Sequence, residues 1–212
     1  MNQLTEFGIL AFTSLFTMVN PLGVIPVYIS LTGGLETKEA RRVAVKATIT
    51  ALVILMLFAV GGKFIFDFFS ISVNSLRIVG GIIFFIAGYD MLQARFIRTK
   101  SQSESNDEFA NDISLTPLAI PIICGPGAIT VSIVLFNDAS AMPQKLVLLL
   151  AIVLVLAITL LFLLSARKIM RYLGENGNKV LMRIMGLIVM VIAVEFIING
   201  LRPILREIFK IS

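Results

Sequence analysis

The chain has 212 residues, 58% of them apolar and only 15% charged, which lies far outside the range of soluble domains. Its net charge of +5 is spread between apolar runs instead of forming one basic patch, which argues against nucleic acid as a partner and suits loops at an anionic membrane surface. There is no histidine and a single cysteine, Cys124, so a histidine-containing metal site, a serine–histidine triad, a histidine proton relay and an internal disulfide are excluded.

The N-terminus, Met1 to Glu6, has no basic residue, so the apolar run after it reads as a retained membrane span and not as a cleaved signal. A spanning helix needs roughly 20 apolar residues. Six runs reach that length: about 5–31, 43–69, 72–94, 115–136, 145–167 and 180–201. The first is longer than a straight span requires, which fits an interruption near Asn20–Pro26. At about 1.5 Å per residue, Asn20 is expected about 22 Å along its segment, near mid-bilayer.

Between runs three and four lies the one long polar stretch, Arg95 to Asn111, read as a flexible cytoplasmic linker. Lys and Arg set orientation. With the N-terminus outside, inner loops hold Lys38, Arg41, Arg42, Lys46, Arg95, Arg98, Lys100, Arg167, Lys168, Arg171, Lys179 and Arg183. The outer side then holds Lys63, Arg77, Lys145, Arg202, Arg206 and Lys210, a two-to-one bias that places both termini outside.

The two halves look related. A shift of 100 residues aligns Ser14 with Ser114, Pro21 with Pro121 and Pro26 with Pro126. After a six-residue insertion at Leu173–Asn178 the shift becomes 106, and Arg77 meets Arg183 while Gly80 meets Gly186. Three spans per half is odd, so the second copy must enter from the opposite side. The expected architecture is therefore an all-α integral membrane protein of six transmembrane helices. They form two inverted three-helix repeats, residues 1–94 and 115–212, joined by a polar linker at 95–114. Helices 1 and 4 are expected to be broken near the bilayer midplane.

Those breaks are where chemistry is expected. A proline inside a helix donates no N–H and pushes away the carbonyl one turn before it. Pro21 and Pro26 thus free the carbonyls of Thr17 and Leu22, and Pro121 and Pro126 free those of Pro117 and Ile122. In hydrocarbon such groups are tolerated only where protein buries them or a cavity hydrates them. Interrupted segments at matching places in two halves point to a transporter's binding site.

In Gly125-Pro126-Gly127-Ala128, proline suits the first position of a half-helix. The N–H groups of Gly127, Ala128 and Ile129 would then be free to hold a carboxylate. The competing reading is that these glycines only let helices pack closely. In Asn20-Pro21-Leu22-Gly23, Asn20 and the freed carbonyls could meet an ammonium group or a cation; alternatively Asn20 only caps the second half-helix. Thr17 and Thr130 are secondary candidates, since threonines often bond their own helix. Asp90 and Glu195 lie shallow in spans three and six. An interfacial role stands against a gate or a coupling proton for each. Arg77, Arg183 and Lys63 read as interfacial anchors, and Gly61-Gly62 and Gly80-Gly81 as close helix contacts.

The stretches Asn20-Pro21-Leu22-Gly23-Val24-Ile25-Pro26, Pro117-Leu118-Ala119-Ile120-Pro121 and Gly125-Pro126-Gly127-Ala128-Ile129 resemble the MarC family of membrane proteins, also known as the small neutral amino-acid transporter family. The likeness runs through all six spans and includes Arg77-Ile78-Val79-Gly80-Gly81 and Met185-Gly186-Leu187-Ile188. It implies an inner-membrane protein of six spans that transports small neutral amino acids such as alanine or glycine, in the export direction. The function expected is a secondary transporter for such solutes, with no metal and no cofactor beyond a coupling H+ or Na+, and not an enzyme. The alternatives are a channel-like pore and a multidrug-type exporter.

Overall fold

A computed structural model describes residues 3–93 and 106–209. Arg95, Arg98, Lys100, Ser101, Ser103 and Glu104 of the expected linker, and Lys210, lie outside the described residues.

Every regular element among the described residues is helical. Helix α1, Gln3–Val19, stops at Asn20, and α2, Pro21–Thr32, begins immediately after it. Asn20 adopts a left-handed conformation (φ 47°, ψ 65°), which non-glycine residues take only as single residues and which asparagine tolerates best. Helix α3 covers Thr37–Phe69 and α4 covers Val73–Leu92. Each starts on a cap. The Glu36 N–H donates to Glu39 Oε2 at 2.9 Å, and Ser72 Oγ accepts from the Ser75 N–H at 3.0 Å.

The polar stretch expected to be a flexible linker ends in a helix, α5, Asn106–Ile113. Phe109, Ala110 and Ile113 share one face and are buried, and Lys46 Nζ donates to Asn111 Oδ1 at 2.8 Å. An apolar stripe at helical spacing ties down the end of a segment whose composition is otherwise that of a loop.

Residues Ser114–Ile123 form a wide, π-type helical stretch interrupted at Thr116 and Ile120, and α6, Pro126–Asp138, leaves it at a bend of 57°. A helical stretch from Met142 to Phe209 turns at Gly174 (φ 68°, ψ 178°), a backbone setting that requires glycine. Its two spans are α7, Met142–Ile169, and α8, Asn176–Arg206. Among the described residues five spans are long and apolar enough to cross a membrane, and six if the bent pair Phe109–Ile123 and Pro126–Asp138 counts as one.

The packing is that of a membrane protein. On α3, Ala44, Ala47, Ala51 and Ala59 face inward while Ile49, Val53, Val60 and Phe64 are exposed. Small residues inside let backbones approach, and large apolar ones outside meet lipid. Helices α4 and α8 touch backbone to backbone. A Cβ on Gly81 would stand 2.7 Å from the Ala193 carbonyl, one on Gly88 2.8 Å from the Gly186 carbonyl, and one on Gly200 2.7 Å from the Asn74 carbonyl. The partner number falls as the α4 number rises, so the two helices run antiparallel. Gly62 packs on Ile133 of α6 and Gly8 on Val147 of α7. Gly61, expected to be a close contact as well, meets nothing within 4 Å.

One end of the bundle is clamped. Arg167 of α7 donates through Nη2 to the carbonyls of Thr32 (3.2 Å) and Leu35 (2.6 Å), and through Nη1 to Thr37 Oγ1 (2.8 Å). Tyr28 Oη donates to the Ala40 carbonyl at 2.8 Å beneath it. Together these bonds hold the α2–α3 turn against α7.

Candidate functional site

The two interruptions meet in the interior. A small cavity of about 40 Å³ is lined by Thr17, Met18, Asn20 and Gly23 from the first and by Pro121 and Ile122 from the second. Phe84, Ala87 and Met91 of α4 and Val189 and Ile192 of α8 complete its wall. At one water-sized centre per ~10–15 Å³, it has room for roughly three waters.

On the first side, Pro21 starts α2 and has no N–H to return to the Thr17 carbonyl. Pro26 lies within α2, so the Leu22 carbonyl also lacks its regular donor. Asn20 Oδ1 accepts from the Gly23 N–H at 3.3 Å, so the amide does act as a cap. Its oxygen has a second lone pair, and its amide N–H₂ remains available. Gly23 is needed where it stands, because a Cβ there would collide with the Asn20 amide. The Thr17 hydroxyl donates to the Thr13 carbonyl at 2.8 Å, so it is bonded to its own helix while its residue lines the cavity.

On the second side the helical stretch is interrupted twice. Thr116 (φ −133°, ψ 121°) and Ile120 (φ −126°, ψ 126°) are extended, not helical. Each precedes a proline, and the proline ring disfavours the α region for the residue before it. The stretch closes with the Cys124 N–H donating to the Ala119 carbonyl at 2.8 Å. Helix α6 then opens with Gly125 as its cap residue and Pro126 at its first position.

Of the three N–H groups expected to be free at that helix start, one is not. The Ile129 N–H donates to the Gly125 carbonyl at 3.0 Å, as the first bond of the helix. Those of Gly127 and Ala128 have no intrahelical acceptor, as in any first turn, and both residues are buried. Gly125 packs on Phe84 and on the Pro121 carbonyl, and Pro126 packs on Gly80. A Cβ on Gly127 would stand 2.9 Å from Met18 Sδ and 3.2 Å from Phe196 Cζ, so these two side chains cover the helix start.

Thr17, Asn20 and Gly23 thus line the cavity, whereas Pro21, Gly125, Pro126, Gly127 and Ala128 do not; Gly125 and Gly127 adjoin it through Phe84 and Met18, and Thr130 lies one turn further along α6. Thr130 lines a second, larger and more open cavity together with Arg77, which is half-buried there. Asp90 is half-buried and Glu195 exposed, and neither lines either cavity. Arg183 is exposed. Met18, Phe84 and Phe196 were not marked by any motif; their place follows only from the packing of α1, α4 and α8. Among the described residues no group of three or more His, Cys, Asp or Glu side chains is arranged to hold a metal.

The family-wide profile described as "MarC family integral membrane protein" matches residues 5–205. A UPF0056 membrane protein of Methanocaldococcus jannaschii is 41% identical over 198 residues, covering 93% of this chain and 97% of its own. The UPF0056 membrane protein YvbG of Bacillus subtilis is 37% identical over 210 residues, covering 95% and 99%. One from Pyrococcus abyssi is 37% identical over 202 residues, covering 95% and 97%. No solved structure matches the chain.

Proposed function

We propose that this chain, which belongs to the MarC family of integral membrane proteins, is a secondary transporter for small neutral amino acids of the alanine or glycine type. The observation that carries the reading is the cavity shared by the two interruptions, with Asn20 and Gly23 on one wall and Pro121 on the other. Unpaired main-chain polarity deep in an apolar bundle is costly unless it serves a solute or water.

The substrate carboxylate would sit on the N–H groups of Gly127 and Ala128, at the positive end of α6. Its ammonium would meet Asn20 Oδ1 and the Thr17 carbonyl. Met18 lines the cavity and packs on Gly127; rotation of this flexible side chain would join the two half-sites. Room for about three waters is too little for the six heavy atoms of alanine, so the site must widen to load.

An inverted repeat gives that widening a route. The antiparallel α4–α8 contact, and the exchange by which α1 meets α7 while α3 meets α6, are what a pseudo-twofold axis in the membrane plane would produce. The halves would rock about the site, with the Arg167 clamp closing one end. We place that end in the cytoplasm, both termini outside, and the protein in the plasma (inner) membrane, working as an exporter driven by H+ or Na+. Asp90 and Glu195 would then act, if on a proton, away from the solute's seat.

Purified protein in liposomes should take up labelled alanine. Asn20→Ala and Gly127→Leu should each abolish uptake while the protein remains folded. Uptake unchanged in both variants removes the proposed site.

A further inference from the structure

The second cavity, of about 430 Å³, lies between α1, α4, α6 and α8. Arg77 and Arg202 both line it, with Asn199 and Thr130, and no carboxylate is among its described lining residues. Gly200 brings the two helices together here, since a Cβ on it would stand 3.1 Å from Arg77 Cβ. Arg77 itself has one long bond, Nη1 to Asn74 Oδ1 at 3.4 Å. Arg77 is half-buried and Arg202 exposed, so two like charges line one open recess, and an anion held between them would relieve their repulsion.

Thr130 supplies an independent sign. Thr17, Thr32, Thr48, Ser132 and Thr159 each donate to the carbonyl one turn back, all at 2.8 Å. Thr130 is 2% exposed, and its hydroxyl has no partner. A buried hydroxyl left unpaired is a cost that a bound acceptor removes. Thr130 lies one turn from Gly127, and Phe196, which covers Gly127, also lines this cavity.

We propose that this cavity is an oxyanion-receiving antechamber: Arg77 and Arg202 take the carboxylate of a small solute, with Thr130 and Asn199 donating to it, before the solute passes Phe196 to the Gly127 helix start. The proposal rests on the transport reading for the passage beyond Phe196, but not for binding. Arginine supplies paired, planar donors matched to a carboxylate. Anionic lipid phosphate offers the same chemistry, so the test separates the two.

In non-ionic detergent micelles, phenylglyoxal modifies accessible guanidinium groups, and mass spectrometry reads each site. Alanine should protect Arg77 and Arg202 and leave Arg183 unprotected, while alaninamide, which lacks the carboxylate, should not protect them. Thr130→Val should raise the alanine concentration needed severalfold, and Arg202→Gln should weaken protection of Arg77 about tenfold or more. Protection by phosphatidylglycerol but not by alanine would assign the site to lipid and overturn the proposal, as would no protection by either or equal protection by alaninamide. Protection without liposome uptake would remove the transport reading and keep this site; uptake without protection would do the reverse.

Discussion

Asn20 carries two duties that ordinary substitutions confound. It occupies a left-handed backbone position and its side chain caps α2. Glycine at this position keeps the backbone setting, and replacing an Asn cap by Gly costs only a few tenths of a kcal/mol. Asn20→Gly is therefore expected to melt within about 0.5 kcal/mol of the parent protein yet to lose alanine transport. A variant that melts normally and still transports would reduce Asn20 to a cap. Asn20→Ala adds a left-handed cost of about 1–2 kcal/mol and the loss of the cap, so it should also lower the melting temperature. The glycines sort by what faces them. A methyl at Gly88 would meet the rigid Gly186 carbonyl at 2.8 Å, whereas one at Gly8 meets Val147 Cγ1 at 3.1 Å. Gly88→Ala should destabilise by about 1–3 kcal/mol, and Gly8→Ala by no more than about 0.5 kcal/mol, both read by thermal unfolding in detergent.

At the scale of elements, the Arg167 clamp is the contact that closes one end. Its three bonds reach the α2–α3 turn across sequence separations of 130 to 135 residues. Hydrogen bonds from a charged donor are worth about 1.5–3 kcal/mol each when removal strands a partner, with discount for partial exposure. Arg167→Gln is expected to leave overall helicity unchanged and to increase proteolytic cutting at Gly33–Gly34 several-fold. Unchanged cutting would mean that the turn is held by other contacts. This clamp was not legible in the sequence, where Arg167 counted only as one cation in an inner loop. What was legible followed from strong local chemistry: the apolar runs, the interruption at Asn20-Pro21, and the start of α6 at Gly125-Pro126. The stretch Ser114–Ile123 was harder, because its apolar residues look like a straight span, whereas the residues before Pro117 and Pro121 leave the helical region and α6 departs at an angle. Ile25 precedes Pro26 in the same way but stays within α2, so the rule biases the backbone without fixing it. Helix α5 was hidden by its polar residues, and the cavity uniting Arg77 with Arg202 depends on a long-range approach that no spacing in the chain encodes.

At the scale of the whole molecule, an interior cavity between two chain interruptions and a clamped end suit a carrier that opens to one side at a time. A continuous pore would need a wide path through the region that Met18, Phe84 and Phe196 now fill. Counterflow separates the two most directly. Proteoliposomes preloaded with unlabelled alanine and diluted into a trace of labelled alanine should accumulate label transiently above its equilibrium level, and Gly127→Leu should abolish the overshoot. A monotonic rise to equilibrium in the parent protein, linear in alanine concentration, would contradict a carrier built around this cavity.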